Sequence, residues 1–173
     1  MNDLSRVVIL DSKPLGDICN PITYKQIKPL IEFLKEQKIA LRVAEITDYE
    51  LRRELTLQNL QKGINNLNKF RQKQQIIPID SESLIIATDL WAEIRKTEQP
   101  TADRKNIDCD VIMVAQALKL RQQFQQIIIL TIDVNDLIRF KKFGIEVWDW
   151  KQALSDYKYR EINLYEEDRL DKL

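Results

Sequence analysis

A short apolar run near the start of the chain, residues 7–10, is followed directly by Asp11 and Ser12. Branched side chains at Val7, Val8 and Ile9 are typical of a strand buried inside an α/β sheet. Open α/β sheets bind their ligands at the carboxyl ends of such strands, so Asp11 is a candidate functional acid. The alternative is that Asp11 only caps a turn or a helix, as aspartate commonly does.

Helical and strand-like patterns alternate along the rest of the chain. Apolar residues at three- and four-residue spacing predict a helix over residues 23–37, and a second strand follows at 39–43. This strand–helix–strand order favours a parallel sheet with right-handed crossovers. Residues 13–21, rich in Pro and Gly, are predicted to form an irregular loop, and residues 47–70 a long helix that breaks near Gly63. A helix capped by Ser81 or Ser83 is predicted to run to Thr97, with Leu84, Ala87, Trp91 and Ile94 inward. The other predicted elements are a short extended piece at 76–79, a polar loop at 99–106, a helix from Asp108, a strand at 127–131, a short helical segment at 136–143, a strand at 145–148 and a partly helical tail from Lys151.

The 173 residues suit one domain with a sizeable core. We expect an α/β fold over residues 1–150, with a central, mainly parallel sheet flanked by helices. Residues 151–173 are predicted to form a C-terminal extension packed on the same domain. The first residues lack a secretory signal pattern and no apolar run is long enough to span a membrane, so a cytoplasmic protein without membrane contact is expected.

Composition narrows the chemistry. The chain contains no histidine, which excludes Ser-His-Asp and Cys-His catalysis and the common histidine-based zinc sites. Two cysteines, Cys19 and Cys109, are too few for a zinc site and are expected to be reduced. Lys plus Arg and Asp plus Glu number 27 each, so no global charge attracts a polyanion. Any chemistry therefore depends on carboxylates, hydroxyls, Lys and Arg.

Four acids occupy positions where they could share one pocket. Asp11 and Asp133 follow strands, Asp110 lies in the first turn of a predicted helix, and Glu50 lies early on the helix after the second strand. Each has a plainer interpretation: a helix-start charge for Asp110, a surface ion pair for Glu50 and a turn for Asp133. Two carboxylates about 5 Å apart repel by roughly 3 kcal/mol, so such a cluster requires protonation, a basic partner or a metal. Oxygen ligands alone favour Mg²⁺ or Mn²⁺.

Taken in order, these segments resemble a PIN domain. The resemblance covers residues 7–148 and is carried best by the Asp-x-x-x-x-Ala-x-Ala-Leu pattern at 110–118 and the Leu-Thr-x-Asp pattern at 130–133. It implies a three-layer α/β/α fold and a metal-dependent ribonuclease site, as in the VapC-type toxins of toxin–antitoxin pairs. The residues it assigns to that site are Asp11, Glu50, Asp110 and Asp133 as catalytic acids and metal ligands, Asp136 as an outer ligand, and Ser12 and Thr131 as supporting hydroxyls.

The leading hypothesis is therefore an endonuclease that hydrolyses RNA phosphodiester bonds with Mg²⁺ or Mn²⁺. Its candidate partners are RNA, an antitoxin protein and a second copy of the chain. Basic side chains that are candidates for phosphate contacts are Lys13, Arg52, Arg53, Arg104 and Lys105, although each also fits a solvated surface charge. The alternative hypothesis is a catalytically silent PIN-like module that binds RNA or a protein.

Overall fold

The computed structural model describes residues 5–97 and 108–158. Within them, five parallel strands form one sheet in the order β3-β2-β1-β4-β5. The strands are β1 (Arg6–Leu10), β2 (Ala40–Ala44), β3 (Ile76–Ile77), β4 (Gln126–Thr131) and β5 (Glu146–Asp149). The helices are α1 (Ser12–Cys19), α2 (Pro21–Glu36), α3 (Glu45–Leu57), α4 (Gln61–Gln72), α5 (Ser81–Thr97), α6 (Cys109–Leu118), α7 (Val134–Leu137) and α8 (Trp150–Lys158), with 3₁₀ segments at Lys119–Gln122 and Ile138–Phe143.

Helices cover both faces of this sheet. On the central strand β1, Val7 and Ile9 point into a core shared with α5 and α6, whereas Val8 and Leu10 point into a core shared with α1, α2 and α4. All four of these side chains are fully buried. The predicted three-layer α/β/α fold with a parallel sheet is confirmed, and it brings the carboxyl ends of β1 and β4 together.

The predicted irregular loop at 13–21 is wrong. Those residues form α1 and the start of α2, because the residues that suggested a loop occupy helix-start positions. Pro14 is the third residue of α1, where its missing N–H breaks no bond, and the first helical bond runs from the Leu15 N–H to the Asp11 carbonyl at 3.0 Å. Asn20 then caps α2 and Pro21 is its first residue, where proline is favoured.

The predicted long helix over 47–70 is two helices, α3 and α4. The chain turns at Gln58 to Leu60, with Asn59 in the left-handed conformation at φ 55°. Gly63 lies inside α4 and is not the break. A Cβ on Gly63 would lie 2.9 Å from Leu55 Cδ2, so glycine at this position lets the two helices approach closely.

The cap predicted for α5 is also corrected. Asp80, and neither Ser81 nor Ser83, caps the helix: its carboxylate accepts from the Ser83 N–H while the Ser83 hydroxyl accepts from the Asp80 N–H, both at 2.9 Å. This exchange is a capping-box geometry. Ala87 and Ile94 are buried as predicted, but Leu84 is 46% exposed and Trp91 is half-buried.

The remaining predicted elements occur with small shifts of their ends. The helical segment begins at Val134, two residues before the predicted start, and α8 accounts for the helical part of the tail. The predicted polar loop at 99–106 lies outside the described residues, as do residues 159–173, so the packed C-terminal extension stays a prediction. Both cysteines are free. No helix in the described part of the chain is long and apolar enough to cross a membrane.

Candidate active site

Asp11 lies where β1 ends and α1 begins, and it is only 8% exposed. Its backbone N–H extends the sheet by donating to the Leu130 carbonyl at 3.1 Å. One carboxylate oxygen accepts from the Ser12 N–H at 2.7 Å, and the other accepts from the Thr131 hydroxyl at 2.6 Å. The plain interpretation of Asp11 as a helix cap is therefore correct, and its second oxygen is held by the neighbouring strand at the same time.

Thr131 joins the acids that end β1 and β4. Its hydroxyl donates to Asp11 and accepts from the Asp133 N–H at 2.9 Å, and the residue has no exposed surface. Asp133 is thereby placed next to Asp11. Burial, together with the Asp133 charge, raises the pKa of Asp11 above its ordinary value, although the hydrogen bonds from Thr131 and Ser12 oppose the rise.

Glu50 reaches the same edge of the sheet from α3. The Ser12 hydroxyl donates to Glu50 Oε2 at 3.1 Å, which links the start of α1 to the middle of α3. Cys109, the first residue of α6, is a second neighbour of the Glu50 carboxylate. Burial and the neighbouring Glu50 carboxylate raise the pKa of the Cys109 thiol to about 12, so the thiol keeps its proton and donates to Glu50.

Asp110 lies in the first turn of α6, whose N-cap is Asp108. Burial and the charges of Asp11, Asp108, Glu50 and Asp136 raise the pKa of Asp110 to about 7. The rise shows that these acids share one electrostatic environment, because each disfavours ionisation of Asp110. The sequence pattern does not single out Asp108, whose only signal is a helix-cap position two residues before Asp110.

The chemistry of this group fits a hard divalent cation. The side chains offer carboxylate and hydroxyl oxygens, and a cation would relieve the carboxylate repulsion that, together with burial, raises the pKa of Asp110. This fit concerns the chemical nature of the donor groups and not their present arrangement. Within residues 5–97 and 108–158, no three Asp, Glu or Cys side chains are already arranged as a metal-binding group. Asp11, Asp110, Asp133 and Glu50 are the residues that would supply the ligands.

Comparisons with solved structures establish the fold. No known family profile matches the sequence, and no curated protein is detectably similar. Chains from several solved structures are similar in fold, including the following two. A chain in VapBC2 from Rickettsia felis bound to a DNA fragment from its promoter matches at a TM-score of 0.59 with 15% identity, over 83% of this chain and 99% of that one. The chain has a PIN-like fold.

A chain in VapBC-1 from nontypeable Haemophilus influenzae supports the same conclusion, with a TM-score of 0.55 and 17% identity, over 84% of this chain and 98% of that one. The resemblance to VapC-type PIN domains is thus confirmed at the level of the fold. Both alignments cover nearly all of the matched chain and more than four-fifths of this one.

Within the PIN-like fold, the predicted outer ligand and the basic side chains have varied roles. Asp136 is exposed, lies 3.7 Å from Arg139 and acts on Asp110 through its charge. Lys13 forms an ion pair with Asp17. Arg104 and Lys105 lie outside the described residues.

The two basic residues of α3, Arg52 and Arg53, differ in their surroundings. Arg52 donates two hydrogen bonds to Asp48 and a third to Asn68, so its guanidinium is held inside a structural network. Arg53 is exposed and lies over the ring of Tyr49. Of these two residues, only Arg53 presents its charge to solvent at the edge of the acidic group.

Proposed function

We propose that the chain is a metal-dependent ribonuclease of the PIN type that hydrolyses RNA phosphodiester bonds. The supporting observation is the meeting of acids at the carboxyl edge of the sheet, where the Thr131 hydroxyl links Asp11 to Asp133. Burial, together with the neighbouring carboxylates, raises the pKa of Asp110 to about 7 at the same edge. Strongly perturbed carboxylates gathered at a strand edge are typical of catalytic sites.

Each residue has a definite role in this proposal. Asp11, Asp110 and Asp133 would hold one or two Mg²⁺ or Mn²⁺ ions, with Asp136 as an outer ligand. When bound, such ions lower the pKa of water and offset the charge that develops on phosphate oxygens. Glu50 is a further ligand or the base that accepts a proton from the attacking water at a carboxylate oxygen.

The hydroxyl groups orient these acids. The Thr131 hydroxyl donates a hydrogen bond to one carboxylate oxygen of Asp11, and the Ser12 hydroxyl donates one to a carboxylate oxygen of Glu50. The lone pairs of each carboxylate that accept no hydrogen bond would be available to a metal ion. Hydrogen bonds of this kind fix the direction of a ligand before the substrate arrives. Loss of either hydroxyl is therefore expected to weaken the site without removing an acid.

We also propose that the protein is the toxin of a toxin–antitoxin pair in the cytoplasm, with an antitoxin protein as its partner and with assembly as a dimer. The support is the fold shared with chains of the two VapBC structures. Co-expression with the product of a small neighbouring gene for a DNA-binding protein tests this part. Growth arrest by the chain alone, relieved by that product, is the expected result, and unimpaired growth with the chain alone contradicts a toxin.

RNA cleavage tests the nuclease proposal directly. Purified chain is incubated with mixed-sequence RNA and Mg²⁺ or Mn²⁺, alongside Asp11→Asn and Asp110→Asn. A matched control is Asp89→Asn, because Asp89 is an exposed acid on α5. Cleavage by the unsubstituted chain and by the control, lost in the other two variants and on chelation, is the expected pattern. Equal cleavage by all four proteins would indicate a contaminant and would contradict the proposal.

A catalytically silent PIN-like module is the second candidate. The observation that favours this second candidate is that the described residues contain no preformed metal-binding group. Such a module would bind RNA or a protein and leave RNA intact at every metal concentration. The same assay separates the two, provided that RNA binding by the unsubstituted chain is measured in parallel.

A further inference from the structure

Tyr49 and Arg53 form an exposed stacked pair on α3, directly beside Glu50. The Tyr49 side chain is 57% exposed, and the Arg53 guanidinium carbon lies 5.7 Å from the centre of its ring. The two residues are one helical turn apart and so share a face of α3. The exposed part of the Tyr49 ring presents a flat apolar surface to solvent.

The backbone that carries this pair is held firmly. Asp48, immediately before Tyr49, has a side chain only 1% exposed and accepts hydrogen bonds from Arg52 and Arg71. Immediately after Tyr49, Glu50 accepts from the Ser12 hydroxyl. The helix backbone that carries the ring is therefore held on both sides of Tyr49, so little backbone ordering is needed when a ligand binds there.

Arg53 brings positive charge to the same edge. Burial and Glu50 raise the pKa of the Cys109 thiol, and Arg53 is close enough to oppose that rise. Its own contact with exposed Glu54 is long, at 3.7 Å, and is worth little in water. The guanidinium thus remains available to a phosphate that approaches the acids.

The chemistry of this pair fits single-stranded nucleic acid. Aromatic side chains stack on bases whatever their identity, and arginine binds phosphate and also stacks. Acidic clusters repel the phosphate backbone, so an RNA strand at this site needs attachment points just outside the acids. Tyr49 precedes Glu50 directly on α3, and Arg53 follows Glu50 by three residues on the same helix.

We propose that Tyr49 and Arg53 form a nucleotide-binding subsite, in which the tyrosine ring stacks on one base of single-stranded RNA and Arg53 binds an adjoining phosphate. The proposal rests on the proposed ribonuclease function and states how that site holds its substrate. The subsite recognises a base by stacking, so it selects unpaired RNA over duplex and has little preference for sequence.

RNA binding in a chain that cannot cut tests the subsite. The full chain carrying Asp11→Asn is titrated with a short fluorescent single-stranded RNA, alone and with Tyr49→Ala, Tyr49→Phe or Arg53→Ala added. Loss of the ring is expected to weaken binding about tenfold, and Tyr49→Phe, which keeps a stacking surface, by no more than about twofold. Arg53→Ala is expected to weaken binding and to flatten its dependence on salt.

The control is Ile85→Ala, which removes an exposed apolar side chain (65% exposed) from α5. The start of α5 pairs with Lys119 just beyond the end of α6, at the opposite end of α6 from Asp110. Ile85→Ala is expected to leave RNA affinity unchanged. Thermal unfolding of every variant confirms that the fold is retained.

Abasic RNA distinguishes stacking from a structural effect of Tyr49. Removing one base at a time is expected to reveal a position where the Tyr49 protein loses affinity and the Tyr49→Ala protein loses none. Such coupling supports the subsite. Equal affinity of the Tyr49 and Tyr49→Ala proteins for intact RNA overturns it.

The outcome also separates this inference from the proposed function. If the unsubstituted chain cleaves RNA and Tyr49→Ala in that chain binds and cleaves equally well, the nuclease stands and the subsite is wrong. If the unsubstituted chain neither binds nor cleaves RNA, both proposals fall.

Discussion

Asp48 and Asp110 both lie in the first turn of a helix on the carboxyl side of the sheet, yet their charges are balanced in opposite ways. Burial raises the pKa of Asp48, but hydrogen bonds from Arg52 and Arg71 outweigh it and hold the pKa below its ordinary value. Burial also raises the pKa of Asp110, but Asp110 has carboxylates as neighbours in place of arginines, and its pKa rises to about 7.

Helix position alone does not account for this difference, because the first turn of a helix favours negative charge in both cases. Asp48 is neutralised by the protein itself, and Arg71 also binds Glu45, so the cluster joins α3 to α4. Asp110 is left without equivalent compensation. Ionisation of such an acid destabilises the folded chain, and acids with strongly perturbed pKa values cluster at functional sites.

Removal of the balanced acid should have the largest effect on stability. Asp48→Ala breaks the hydrogen bonds from two arginines and is expected to lower the free energy of unfolding by about 3 kcal/mol. For a chain of this size that corresponds to a fall in Tm of roughly 6–12 °C. Since the folded-state pKa of Asp48 is lowered, its contribution is present above its ordinary pKa and is lost as the pH falls further. Thermal unfolding at several pH values should show the difference in Tm between the unsubstituted chain and Asp48→Ala disappear in acid. A difference in Tm that stays constant with pH would contradict a stabilising ion pair.

Removal of the unbalanced acid should have the opposite sign. Asp110 has a raised pKa in the folded chain, so its ionisation costs stability progressively as the pH rises from about 4 to 7 and fully above that. In metal-free buffer near pH 8, Asp110→Asn is expected to raise the free energy of unfolding by about 2 kcal/mol, or Tm by roughly 4–8 °C. The gain should vanish near pH 4, where both side chains are uncharged. Asp89→Asn is the control, and a loss of stability in Asp110→Asn at high pH would refute the proposed repulsion.

The bridge between Asp11 and Asp133 should have the smallest effect on stability. Thr131→Val removes the hydroxyl that lowers the pKa of Asp11 and is expected to cost about 1 kcal/mol. Because the pKa of Asp11 then rises further, the acid limb of the pH profile for RNA cleavage should move to higher pH. Thr131→Ser, which keeps the hydroxyl, should restore the original profile. Identical profiles for the valine and threonine proteins would show that the bridge does not tune Asp11.

The sequence predicted the parts of the site that follow from strand position. Apolar runs that end just before Asp11 and Asp133 predict where two strands end. The structure brings both acids to that carboxyl edge of the sheet, where α/β proteins bind ligands. The sequence did not predict α1, because proline indicates a loop unless it is known to lie in the first turn of a helix. Pro14 and Pro21 both lie in such first turns. Both prolines stand where a missing N–H removes no helical bond.

The contrast between the two acids depends on contacts that are distant in sequence. Arg71 is 23 residues from Asp48, and Thr131 is 120 residues from Asp11. Local spacing gives Arg52 as a neighbour of Asp48 one turn along the helix, but nothing local brings Arg71 to it. The charge balance of each acid is therefore a property of the packed fold, which periodicity and propensity alone do not specify.

We propose that the acids at the carboxyl edge bind a divalent cation, whereas Asp48 is already neutralised by Arg52 and Arg71. Isothermal titration with Mn²⁺ measures this directly in the unsubstituted chain, in Asp110→Asn and in the control Asp89→Asn. We expect saturable binding that Asp110→Asn weakens at least about tenfold, in line with the loss of a charged oxygen ligand, and that Asp89→Asn leaves unchanged. No saturable binding by the unsubstituted chain, or equal binding by Asp110→Asn, would contradict the claim.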